Sequence, residues 1–147
     1  MKKSFIHFLF ASLLFVLASF TFTKENSISV YINGKTIATN TVVTYQAIGT
    51  GAKISANIPS GARFNELTLI IPNVAVGNYP ITAENKAQIT YNTTLGQSFN
   101  SQNQNSTKGF IKITASTNNS LNVEFECAMT NAGQKLALKT GKVQVTF

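Results

Sequence analysis

The chain has no tryptophan and no aspartate, and its one histidine, His7, sits in the N-terminal segment. Each absence narrows the chemistry. Ser and Cys nucleophiles usually depend on a neighbouring histidine base, and beyond residue 7 there is none. Zinc needs several Cys or His ligands, and Cys127 is the only cysteine. Calcium favours clustered carboxylates, whereas Glu25, Glu66, Glu84, Glu124 and Glu126 are mostly far apart in the chain. These gaps point away from an enzyme and supply no set of residues for a metal or cofactor. Charge is also scarce, at 12% of 147 residues, about half the usual share. Polarity comes instead from Thr, Asn, Ser and Gln, residues that suit strands and turns better than solvated helices.

Hydrophobic residues make up 44%, enough to exclude a disordered chain. Residues 1–23, MKKSFIHFLFASLLFVLASFTFT, have the three parts of a secretory signal peptide: Lys2 and Lys3, an apolar run from Phe8 to Phe20, then small residues. The run is short for a permanent span, which needs about 20 apolar residues. The reading is therefore cleavage between Ala18 and Thr23, with an uncleaved anchor as the alternative. Leu17-Ala18-Ser19 also opens like a lipobox, but Phe20 stands where the acylated Cys would be. The expected product is soluble, periplasmic or secreted, with no stable membrane span. After cleavage ten basic residues face five acidic ones, a balance of +5, down from +7. The basic residues are scattered and do not interleave with aromatics as a nucleic-acid groove requires.

Strict alternation dominates the rest. Residues 27–33 (SISVYIN) put Ile28, Val30 and Ile32 on one face, and Asn33-Gly34 is a strong hairpin signal. Strands are expected over 35–38, 41–48, 53–58, 66–71 and 88–93, with Pro59-Ser60-Gly61 as a turn. Residues 77–81 (GNYPI) read as a turn into a short edge strand, because Pro80 cannot donate to a ladder. A helical turn is expected near 83–87. Residues 94–108, TLGQSFNSQNQNSTK, read as a long mobile loop with Phe99 as an anchor. Residues 110–115 form another strand. Residues 121–129 alternate for a full strand, with Leu121, Val123, Phe125, Cys127 and Met129 inward. After a turn at Asn131-Ala132-Gly133, strands over 136–139 and 142–147 close the chain. The sum is one domain, residues 24–147, with about eight to ten short antiparallel strands in a β-sandwich, or alternatively a half-open barrel.

Four segments carry a family resemblance: Gly77-Asn78-Tyr79-Pro80-Ile81, then 109–114 (GFIKIT), 123–128 (VEFECA) and 140–145 (TGKVQV). In order and spacing they resemble an uncharacterised family of small secreted proteins and lipoproteins from Bacteroidota. The resemblance implies an all-β envelope domain of unknown function and supplies no catalytic residues.

Three groups of residues are candidates for function. Glu124 and Glu126 share a strand face about 7 Å apart, the separation of an inverting glycosidase pair. On a solvent-facing strand they read instead as surface partners of Lys112 or Lys142. Cys127 reads as a buried small hydrophobe rather than a reactive thiol. Tyr31, Tyr45, Tyr79 and Tyr91 lie on or beside strands, where they either pair across strands or form a platform for sugar rings. The function expected is a non-enzymatic interaction or structural module contacting an envelope protein through sheet edges and the 94–108 loop. The alternative is a small-ligand or glycan-binding protein.

Overall fold

The computed structural model describes residues 25–39, 42–82, 84–103 and 107–147. The signal peptide expected over residues 1–23 lies outside the described residues. The described chain forms eleven strands and no helix: β1 (Ser27–Ile32), β2 (Lys35–Thr39), β3 (Val43–Ile48), β4 (Gly51–Ser60), β5 (Arg63–Ile71), β6 (Gly77–Pro80), β7 (Gln88–Asn92), β8 (Ser98–Asn100), β9 (Thr107–Ser116), β10 (Ser120–Asn131) and β11 (Gln134–Thr146). No helix among the described residues is long and apolar enough to cross a membrane.

The strands form two antiparallel sheets that pack as a sandwich. One has six strands in the order β2-β1-β11-β10-β9-β6, the other five in the order β3-β4-β5-β7-β8. Alternation explains the packing: each strand sends every second side chain between the sheets and the others to solvent. On β10, Leu121, Val123, Phe125, Cys127 and Met129 are all at most 3% exposed. They meet Ile54, Ile58, Leu67, Leu69 and Ile89 of the other sheet in one continuous core. Asn33 and Gly34 both take positive φ, 48° and 86°, the primed turn that matches the twist of a two-residue hairpin.

Four expectations are corrected. β4 runs through Pro59 to Ser60, and the turn falls at Gly61-Ala62. Proline is tolerated there because Ser60 pairs Arg63 at the turn, so Pro59 points its missing donor toward β3, which has already ended opposite Ala56. The two closing strands are one strand of 13 residues, kinked but unbroken at Thr140-Gly141. No helical turn forms near 83–87 among the described residues; Glu84-Asn85 is a hydrogen-bonded turn instead, with Asn85 N–H donating to the Thr82 hydroxyl at 3.2 Å. The 94–108 segment is not one loop. Gly96, at φ 80°, turns the chain back and β8 pairs with β7 through Tyr91 and Phe99. Phe99 does anchor the segment, at 5% exposure. Ser101 locks it further: its backbone N–H donates to the Ile89 carbonyl and its hydroxyl accepts from Ile89 N–H at 2.8 Å.

Candidate functional site

Asn122, Glu124, Glu126 and Ala128 are the central outward residues of β10. Register across the sheet sets their neighbours. Glu124 lies opposite Lys112 on β9 and Lys142 on β11. Lys142 in turn lies opposite Ser29, and Lys112 opposite Asn78. Asn122 lies opposite Gln144, which faces Ser27. Ala128 lies opposite Ala137.

Bulges deform this face. Between the pairs Phe125–Gly141 and Cys127–Leu138, β11 fits Lys139 and Thr140 opposite the single residue Glu126. Such an insertion bends the strand and increases its twist. Thr140 takes the left-handed φ of 47°, and Glu126 Oε1 accepts its backbone N–H at 3.1 Å. The carboxylate therefore caps the bulge. Two close approaches make glycine necessary beside it. A Cβ on Gly141 would meet the Phe125 ring at 2.4 Å, and one on Gly109 would meet the Glu126 carbonyl oxygen at 2.5 Å. β9 has its own shift opposite Glu126 and Ala128.

Three shallow recesses adjoin along the seam between β10 and β11. The first, about 140 Å³, is floored by Ala128 and Ala137, whose small side chains leave a dip. The second, about 160 Å³, lies between Phe110, Glu126 and Thr140. The third, about 300 Å³, is bordered by Ser27, Thr114, Asn122 and Gln144. The first two share Glu126, and the last two share Glu124 and Lys142. Together they form an open trough about 20 Å long, the span of six residues of strand. Asn122 Oδ1 is buried beside the third recess with no hydrogen-bond partner among the described residues.

The charges in the trough are modestly coupled. Lys142 Nζ is 3.8 Å from Glu124 Oε1, with side chains 70% and 40% exposed, a pair worth about 0–1 kcal/mol. Glu124 and Glu126 do share a face, as the sequence indicates. One is engaged by lysine and the other by a backbone donor, both on an open surface. Among the described residues no three His, Cys, Asp or Glu side chains gather to hold a metal.

The other candidates separate. Cys127 is 3% exposed, and burial pushes its thiol up from 9.0 to about 11, which suppresses the reactive thiolate. The tyrosines form no row. Tyr91 is in the core, and its hydroxyl accepts from Asn65 Nδ2 at 2.7 Å. Tyr45 stacks on Phe147 with centroids 3.9 Å apart. Tyr79 donates to the Ala75 carbonyl at 2.7 Å. Tyr31 alone is exposed, on β1. Sequence reasoning passed over Asn122, Gln144, Ala128, Ala137 and Phe110. Their outward alternation was visible, but their convergence depends on register between strands distant in the chain.

A family described as a domain of unknown function, DUF6252, matches residues 35–145, and the chain belongs to it. No curated protein and no solved structure matches the chain.

Proposed function

We propose that this member of the family is an exported, non-enzymatic interaction module of the bacterial cell envelope that docks an extended polar partner along the β10/β11 trough. The trough carries the reading. It is open along its length, with amides, hydroxyls and mixed charge at its wide end and Phe110, Ala128 and Ala137 among its lining toward the other. Asn122 and Gln144, opposite each other at the wide end, support it by bringing two side-chain amides to the recess. The N-terminal charge and apolar pattern supports export, and Phe20 in place of a lipobox Cys supports a soluble product in the periplasm or outside the cell. The motif order over 77–145 supports kinship with secreted proteins and lipoproteins of Bacteroidota. A chain with no histidine after residue 7 and with Glu126 committed to a bulge supports a non-enzymatic role.

The test is crosslinked capture from envelope and culture-fluid fractions, with Ala137→Arg as the blocking variant. Wild type is expected to bring down one partner in near-equal amount and to begin between residues 19 and 24 of the sequence. Ala137→Arg is expected to lose the partner at unchanged Tm. Equal capture by both contradicts docking at the trough, and an intact N-terminus in the cytoplasm contradicts export.

Glycan binding is favoured by one observation, the hydroxyl and amide end of the trough at Ser27, Thr114 and Gln144. It predicts retention on an insoluble polysaccharide that Gln144→Ala reduces.

A further inference from the structure

Four strands edge the two sheets, and three of them are guarded. β2 has five residues and opens with Lys35, β6 has four and contains Pro80, and β8 has three. Short length, lysine and proline are the usual ways in which an edge is kept from pairing with another chain. β3 has six residues, VTYQAI, with no charge, no proline and no glycine. Two large apolar side chains at its ends are open to solvent, Val42 at 63% and Ile48 at 50%.

Hairpin geometry identifies its free backbone groups. Ile48 pairs Gly51 across a two-residue turn, so Ile48, Gln46 and Thr44 bond to β4. The Val42 carbonyl accepting from Asn57 N–H at 3.4 Å keeps the same parity. Val43, Tyr45 and Ala47 therefore direct their backbone groups away from the sheet. Asn26 Nδ2 donates to the Val43 carbonyl at 3.0 Å, which leaves that oxygen a second acceptor site.

We propose that β3 is a self-association edge, where two copies of this chain pair antiparallel about a two-fold axis at Tyr45. Parity and apolar burial select this register. With the axis at Tyr45, each Val43 faces Ala47 of the second copy and each Thr44 faces Gln46. The exposed Val42 of each copy then covers the exposed Ile48 of the other, twice. An axis one residue either way breaks that apolar pairing, setting Val42 opposite Gln46 or Ile48 opposite Thr44. The result is one continuous ten-stranded sheet, with the troughs of both copies still open on the other sheets. An edge of this length is small beside the ~1,600 Å² of a standard interface, so the dimer dissociates at about micromolar to millimolar concentration.

The test is sedimentation velocity on protein purified from cells expressing the whole chain, from about 10 μM to about 1 mM. Wild type is expected to shift from monomer to dimer. V42K/I48K places lysine opposite lysine and is expected to weaken the dimer more than about tenfold. V42K/I48E places lysine opposite glutamate between copies and is expected to restore it. Residues 42 and 48 are about 20 Å apart in one strand, so only the intermolecular register connects them. As a second readout, oxidising a mixture of T44C and Q46C is expected to give heterodimers in excess of either variant alone. A monomer throughout overturns the proposal, as do equal behaviour of the two lysine variants or equal crosslinking of T44C alone. Circular dichroism melting confirms that each variant is folded.

Discussion

The two sheets share one strand alternation but differ in regularity. In the five-stranded sheet every pairing keeps its register from end to end. A polar row crosses its outer face, where Thr44, Ser55, Thr68, Thr90 and Asn100 line up across all five strands, and Ser55 and Thr68 bond through their hydroxyls at 3.3 Å. In the six-stranded sheet the register shifts on both sides of β10 and again between β1 and β11. The three adjoining recesses lie along that seam. The lesson is that one extra residue, accommodated by Gly141 and capped by Glu126, turns a plain sheet face into one with relief.

The comparison breaks most severely at the residue that fills the space behind the bulge. Phe125, wholly buried, is expected to cost about 3–5 kcal/mol on truncation to Ala. Gly141→Ala pushes a methyl into the same ring and is expected to cost about 1–3 kcal/mol. The two are expected to be non-additive, since removing the ring removes the clash. Urea unfolding of the single and double variants measures this. Additive losses would separate Gly141 from Phe125.

Next in size is a pH effect from the same sheet. Burial raises the Cys127 thiol from 9.0 to about 11. The unfolded chain therefore loses this proton first, and the associated stability is present in full below about pH 9 and lost as pH rises from 9.0 toward 11. Tyr91 is shifted upward by burial, despite its bond from Asn65, and adds a loss of the same sign at alkaline pH. Unfolding free energy is expected to fall across this window, less steeply in Cys127→Ala. An unchanged slope in that variant would mean that the thiol titrates freely in the folded protein.

The five-stranded sheet has its own polar staple: Asn65 donates to the Tyr91 hydroxyl and accepts Thr94 N–H at 3.0 Å. Tyr91→Phe leaves the Asn65 amide without that partner and is expected to cost about 1 kcal/mol, read as a shift in the urea midpoint. Smallest is Glu124→Gln, which removes the half-exposed pair with Lys142 and is expected to change stability by about 0–1 kcal/mol, with the change shrinking in high salt. A larger, salt-independent loss would make Glu124 structural, like Glu126.

The regular parts were the ones legible in the sequence. Period-two alternation identified the inward residues of β10, and Asn33-Gly34 located the first hairpin, because both signals are local. β8 was hidden because its composition is that of a loop, and only Phe99 entering the core shows otherwise. β11 was read as two strands because Thr140-Gly141 looks like a turn, while in the fold its neighbours hold it in the sheet as a bulge. Pro59 looked like a terminator, although the end of β3 makes its missing donor harmless. The four tyrosines were equally visible, but their faces depend on register, and register scattered them. The trough joins side chains from β1, β9, β10 and β11, so no local pattern contains it.

The most direct test of the central claim places a photo-crosslinking residue at Gln144 in the trough, at Gln46 on the β3 edge, or at Thr68 on the five-stranded sheet, in protein expressed in its native host. The account predicts a heterologous adduct of defined mass from Gln144, none from Thr68, and only self-adducts from Gln46. A heterologous adduct of equal yield from Thr68, or none from Gln144, would contradict the trough as the contact surface.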